Sequence, residues 1–394
     1  MRDTNNYGWV RTWGAAPQAA DAALGSLDGF PPFADVTLRQ VVRIGGGGRR
    51  VRIRFTNEYG IAPLFVGGAR VGLATPGGGV RTGTDRALTF GGRPTATVPA
   101  GTPLLSDPVD LPVPDLAQLS VSLYLPEPVA RCTCHDPALD DGWAIPGAAV
   151  AAPTLPENAV PLPVRALLSG VDVLADAPAK AIVALGDSRV DGVGSTPGAH
   201  RGWPELLAER LARRGAAGYV SNQGISGNRM LNDGLGAAGL TRFDRDVLTT
   251  PGLGFLIVSI GINDLAISFA PDGSAPGFLA MFPGGPVTTD DVIAGYDQLI
   301  ARAHEHGVKV YATTMAPYEG DDIFSPEGDA ARRVVNDWIR LSGAFDAVLD
   351  FDAVWRDPGR PSRIRPDFHS GDHLHGSDAG YRALADSIDL SLFR

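Results

Sequence analysis

Ala181-Ile182-Val183-Ala184-Leu185-Gly186-Asp187-Ser188 decides the reading of this chain. Its first five residues form a short, continuous apolar run, the pattern of a strand buried on both faces of a parallel sheet. Gly186-Asp187-Ser188 ends the run. Beyond Gly192 and Gly194, Trp203-Pro204-Glu205-Leu206-Leu207 opens a helical pattern. A serine on such a glycine-bearing turn directs its hydroxyl into the crevice at the carboxyl ends of the strands, where open α/β sheets do their chemistry.

Outward from the turn, apolar runs and helical stretches alternate to the end of the chain. Strands are expected at Ala181–Leu185, Gly218–Val220, Phe255–Ile260, Val308–Thr313 and Ala347–Leu349. Helices are expected at Glu205–Arg214, Thr289–His306, Asp329–Leu341 and Ala379–Leu390. This alternation predicts a parallel sheet with helices on both faces.

The part before Lys180 reads as β. Val36–Ile44 is followed by Gly45-Gly46-Gly47-Gly48 and then by Arg50–Phe55, which alternates polar and apolar residues, so a hairpin is expected. Short runs recur at Leu64–Val66, Ala69–Leu73, Ala87–Phe90, Ala96–Val98, Leu119–Tyr124 and Val171–Leu174, separated by Gly and Pro. Such density predicts a β-sandwich or jelly-roll-like domain. The Ala/Pro-rich stretch 148–163 reads as a connection, and Ala177-Pro178-Ala179 punctuates the boundary. Residues 1–176 and 177–394 are therefore expected to be separate domains, as 394 residues exceed one ordinary core.

Composition narrows the partners. Hydrophobic residues at 44% and charged residues at 20% describe a globular chain, and a net charge of -10 argues against nucleic acid. No window approaches the roughly 18 apolar residues of a membrane span, so no integral membrane contact is expected. Met1–Asn6 has no apolar h-region, so no secretory signal is read in the chain as given. A trimmed leader would make the protein secreted; otherwise it is expected in the cytoplasm. Cys132 and Cys134 read as free or incidental thiols. A C-x-C beside His135 resembles half a zinc site, but no second pair completes it.

Three more blocks fall in loops after the strands or before the last helix. They are Ser221-Asn222-Gln223-Gly224-Ile225-Ser226-Gly227-Asn228, then Gly261-Ile262-Asn263-Asp264, then Asp372-His373-Leu374-His375. Each alone also fits a structural role: Ser188 a helix N-cap, Gly227 a turn, Asn263 a loop cap, His375 a helix cap. Asp187 and Asp264 read as orienting loops or capping helices. Arg189, directly after Ser188, has no evident role.

In this order, Gly-Asp-Ser, Gly-x-x-Gly, Gly-x-Asn-Asp and Asp-x-x-His resemble the SGNH (GDSL) hydrolase family. The β region ahead of them resembles, more loosely, a bacterial subset with an N-terminal β-sandwich. The resemblance implies a flavodoxin-like three-layer α/β hydrolase domain acting on esters through an acyl-enzyme, without metal or organic cofactor. It implies Ser188 as nucleophile, His375 as base, Asp372 as its orienting partner, and an oxyanion hole from Ser188 N–H, Gly227 N–H and the Asn263 amide. The chemistry asks for the same parts, since a serine hydroxyl needs an adjacent base and its tetrahedral oxyanion needs aimed donors. The expected substrate is a small ester or an acylated carbohydrate.

Two other readings use the same residues. Asp367, His369, Asp372, His373 and His375 are dense enough for a metal-dependent phosphoesterase. Alternatively, Trp9, Trp13, Phe30, Phe33 and Trp143 would serve a carbohydrate-binding protein with a decayed hydrolase domain, although sandwich aromatics usually belong to the core. The long stretch 266–286, with Phe269, Phe278, Leu279, Met281 and Phe282, reads either as a lid or pocket wall or as a surface loop packed on the sheet.

Overall fold

The structure is a computed structural model that describes residues 8–216 and 218–394, so the Met1–Asn6 start lies outside the described residues. Backbone contacts divide the chain into two units. One runs to Ala179 and includes Ala212–Ser221; the other comprises Lys180–Leu211 and Asn222–Arg394. No helix among the described residues is long and apolar enough to cross a membrane.

The first unit holds two larger antiparallel sheets. In one, the order is Trp9–Gly14, Leu168–Leu174, Gly48–Asn57 and Thr102–Leu105, with Val109–Val113 also on Gly48–Asn57. In the other, Val36–Arg43 and Gln118–Leu125 are central, flanked by Gly142–Pro146 and Gly68–Thr75. Alternating side chains give each sheet an apolar face. Leu38, Val42, Val121 and Leu123 from one and Val51, Ile53, Val171 and Val173 from the other join a single buried core.

The expected hairpin between Val36–Ile44 and Arg50–Phe55 does not form. Val36–Arg43 pairs with Gln118–Leu125 and Gly142–Pro146, whereas Gly48–Asn57 pairs with Leu168–Leu174 in the other sheet. The glycines between them carry the chain from sheet to sheet. A Cβ at Gly47 would run into the Val113 carbonyl, and one at Gly48 into that of Leu174. Close backbone approach, not a tight turn, explains the glycine run.

Cys132 and Cys134 are free and buried. Burial pushes the Cys134 thiol up to about 12, with Asp136 and Asp21 adding to it, so it is a poor nucleophile. His135 donates from Nδ1 to the Ala16 carbonyl at 3.1 Å. Phe33 is buried beside Phe30, and Arg52 lies over the Trp9 ring at 4.5 Å, so these aromatics are engaged within the unit.

A five-stranded sheet runs in the order Gly218–Gly224, Lys180–Gly186, Leu253–Ser259, Lys309–Thr313, Ala347–Leu349, and all of it from Asn222 onward, together with Lys180–Gly186, belongs to the second unit. The last four strands pair in parallel. Ala181 to Leu185 are fully buried, as the continuous apolar run requires. Val183, Leu185, Val258 and Val310 meet Tyr296, Leu299, Val335 and Ile339 of the helices Thr289–Glu305 and Pro326–Leu341. Local sequence sets the helix starts. Thr288 and Asp291 form a capping box, Ser325 accepts from Gly328 N–H ahead of Pro326, and Ser377 accepts from Gly380 N–H. The last helix, Asp378–Ser387, stops short of the expected Leu390, where a 3-10 turn begins.

Candidate active site

The turn after Lys180–Gly186 is held by its own residues. Asp187, not Ser188, is the N-cap of the short helix Ser188–Asp191, accepting from Arg189 N–H at 3.0 Å. That leaves the Ser188 hydroxyl uncommitted to the helix. Gly186 is needed because a Cβ there would strike Val190 and the Ser259 carbonyl of the neighbouring strand.

Three loops converge on this turn. Ile225 N–H donates to Gly186 O at 3.1 Å and Ser226 Oγ to Asp191 Oδ2 at 2.8 Å, docking the second loop. Within it, Asn228 N–H closes on Ile225 O, and Gly227 has φ +71°, the left-handed value that a type II turn places at this position. Asn263 Nδ2 donates to Asn228 O at 3.0 Å, so its amide lies against the segment that carries Gly227. Beside it, Asp264 accepts from Met230 N–H at 2.7 Å and Leu231 N–H at 2.9 Å, clamping the third loop to the second. Burial pushes the Asp264 carboxyl up to about 6 against these hydrogen bonds. Both aspartates orient loops, as their positions in the sequence imply.

From the C-terminal segment, His375 reaches Ser188: Nε2 and Oγ are 2.8 Å apart. On its other edge, Nδ1 lies 2.7 Å from Asp372 Oδ2. Asp372 Oδ1 also accepts from Leu374 N–H and His375 N–H, both at 2.9 Å. Partial burial raises the Asp372 carboxyl, but these hydrogen bonds outweigh it and hold the group well below the usual carboxylate range. An ionised carboxylate only accepts, so Nδ1 carries the proton of the neutral imidazole. Nε2 then presents a lone pair, and Ser188 Oγ–H donates to it. The tautomer follows from charge.

The remaining members of the Asp/His cluster point elsewhere. The His369 and His373 rings meet at a tilt of 33° with centroids 4.2 Å apart, and Asp367 pairs with Arg365. Among the described residues, no group of three or more such side chains is placed to hold a metal ion. In the stretch 266–286, Phe282 is buried and meets Phe278 edge-on at 4.8 Å. A Cβ at Gly227 would meet Leu235 at 2.6 Å and Phe282 at 3.1 Å, so both side chains wall that loop.

Two arginines were not assigned roles in the sequence. Arg242, 1% exposed, donates to Gly186 O, Gln223 O and Asn228 Oδ1 and pairs with Asp246. It ties both strand ends together, and only its Arg-x-x-x-Asp spacing on a helix hints at it. Arg189 lies buried under the turn. A cavity of about 20 Å³ beside it, lined by Asp187, Trp203, Ser259 and Trp355, has room for one water and is too small for a substrate.

Residues 184–383 match the model of the GDSL-like lipase/acylhydrolase family. Among solved structures, the chain is similar to a GDSL-like lipase from Bacteroides thetaiotaomicron VPI-5482, at 17% identity and a TM-score of 0.39, over 54% of this chain and 87% of that one. It is also similar to an acetyl xylan esterase, at 20% identity and a TM-score of 0.39, over 52% of this chain and 96% of that one. A third is the aryl esterase of M. smegmatis, at 19% identity and a TM-score of 0.38, over 53% and 96%. None of the curated proteins matches the chain.

Proposed function

The chain belongs to the GDSL-like lipase/acylhydrolase family, and we propose that it is a serine-dependent ester hydrolase that forms an acyl-enzyme on Ser188. The observation that carries this reading is the unbroken hydrogen-bonded series Ser188 Oγ, His375 Nε2, His375 Nδ1, Asp372 Oδ2. Ser188 Oγ attacks the ester carbonyl while His375 takes its proton and then passes it to the leaving alcohol. Asp372 stabilises the imidazolium formed in between. Water then attacks the acyl-enzyme while His375 accepts its proton, and His375 returns that proton to Ser188 Oγ as the bond to the acyl group breaks and the acid leaves. The oxyanion falls to Ser188 N–H, Gly227 N–H and Asn263 Nδ2.

The substrate of this reading is a small ester or an acylated carbohydrate. The same reading takes the second unit as flavodoxin-like, supported by a strand order of second, first, third, fourth, fifth, and the first as a β-sandwich with a domain boundary at 176/177.

Inhibition tests the mechanism. With p-nitrophenyl acetate, an organophosphate should abolish hydrolysis and leave one phosphoryl adduct on Ser188 by mass spectrometry, while EDTA should leave the rate unchanged. Loss of activity with EDTA alone would sink the serine mechanism. The oxyanion assignment has its own test. Asn263→Ala should lower kcat by about 10²- to 10³-fold with little change in KM, because its amide acts on charge that develops only in the transition state.

A further inference from the structure

Arg189 follows Ser188 directly and is 7% exposed. Its guanidinium donates to three backbone carbonyls: Nε to Leu374 O at 3.0 Å, Nη1 to Ala316 O at 3.0 Å and Nη2 to Pro317 O at 3.1 Å. The first of these belongs to the peptide that joins Leu374 to His375. The N–H on the opposite edge of that peptide is His375 N–H, which donates to Asp372 Oδ1 at 2.9 Å. A planar peptide gripped on both edges has little freedom to tilt. The other two carbonyls follow the strand Lys309–Thr313, so the same fork ties a further strand-end segment to the nucleophile turn.

We propose that Arg189 is a positioning residue that sets the reach of His375 Nε2 to Ser188 Oγ, by clamping the Leu374-His375 peptide and the Ala316-Pro317 segment to the turn that carries the nucleophile. This rests on the serine-esterase reading above. Burying a guanidinium carries a desolvation cost that an apolar side chain in the same place would avoid. The arginine is explained by what it alone can do. Its planar fork offers five N–H donors in fixed directions and can span carbonyls from two segments at once. A lysine keeps the charge but presents a compact ammonium on a flexible stem, without that geometry. Its backbone N–H, bonded to Asp187, fixes the same turn from the other side.

The test compares wild type with Ser188→Ala, Arg189→Lys and Arg189→Gln. Readouts are kcat and KM for p-nitrophenyl acetate per site titrated with a fluorophosphonate, Tm, and the low-field proton resonance of His375 Nδ1–H. Folded Arg189→Lys should lose about 10- to 100-fold in kcat, the scale of a misplacement of about 1 Å, with KM within about twofold. The low-field resonance should shift or vanish, which a loss of stability alone would not cause. If Arg189→Lys does not fold, Arg189→Gln must show the same pattern. A full rate per titrated site, an intact resonance, or failure of both variants to fold overturns the inference, the last by making Arg189 a stability element. Inactive Ser188→Ala beside fully active Arg189→Lys overturns it alone. Ser188→Ala at wild-type turnover overturns the serine reading, and the inference with it.

Discussion

Ser188→Ala is expected to lower kcat for p-nitrophenyl acetate by about 10⁶-fold, to the level left by binding and the oxyanion donors. The fold should tolerate the change. Among the described residues Ser188 Oγ has one partner, His375 Nε2, while its carbonyl accepts from Gly192 N–H and Val193 N–H, and both of those bonds survive in alanine. Asp187 continues to cap the helix. Losing a single side-chain hydrogen bond costs roughly 1 kcal/mol, or about 2–4 °C in Tm for a unit of this size. Mass spectrometry after organophosphate treatment should show no adduct on the variant. Turnover within about tenfold of wild type would refute Ser188 as nucleophile.

The second unit was legible because its signals are local. A strand buried on both faces must be apolar throughout, so Ala181–Leu185 announces itself, and the strand-end blocks follow at Asn222–Asn228 and Asn263-Asp264. Helix starts are set locally by Thr288, Ser325 and Ser377, although the expected helix from Asp329 begins in the structure at Pro326, behind Ser325. The first unit was less legible because its pairings are long-range. Trp9–Gly14 has a partner in Leu168–Leu174, and nothing in either segment names the other. Alternation along Arg50–Phe55 discloses a half-buried strand but not its neighbour, so proximity in sequence suggested the wrong one.

A similar divide runs through the site. Ser188, Asp372, His375, Gly227 and Asn263 were proposed from residue type and order, and the structure links Ser188, His375 and Asp372 by hydrogen bonds. Arg189 and Arg242 were not proposed, because their partners are mainly backbone carbonyls, which every sequence has at every position. The role of Asp187 was anticipated in kind. The structure makes it specific: by capping the helix itself, Asp187 leaves Ser188 Oγ to His375.

His375→Ala should cost about as much as Ser188→Ala, and the double variant should be no worse than either alone, since a nucleophile without its base and a base without its nucleophile are equally idle. Asp372→Asn should cost less, about 10⁴-fold in kcat. The wild-type carboxylate fixes Nδ1 as the protonated nitrogen. A carboxamide can also donate, and when it does Nδ1 must accept, leaving Nε2–H facing Ser188 with no lone pair for its proton. Because hydrogen bonds hold the Asp372 carboxyl below its ordinary value, its stabilising contribution is complete above the unfolded carboxylate range and is lost only as pH falls through the lower native value. An acid limb in wild-type kcat within or above the ordinary carboxylate range therefore does not belong to protonation of Asp372. Kinetics of the three variants against pH decide the matter. Additive losses in Ser188→Ala/His375→Ala, or an Asp372→Asn rate equal to wild type, would separate these residues into independent roles and break the proposed relay.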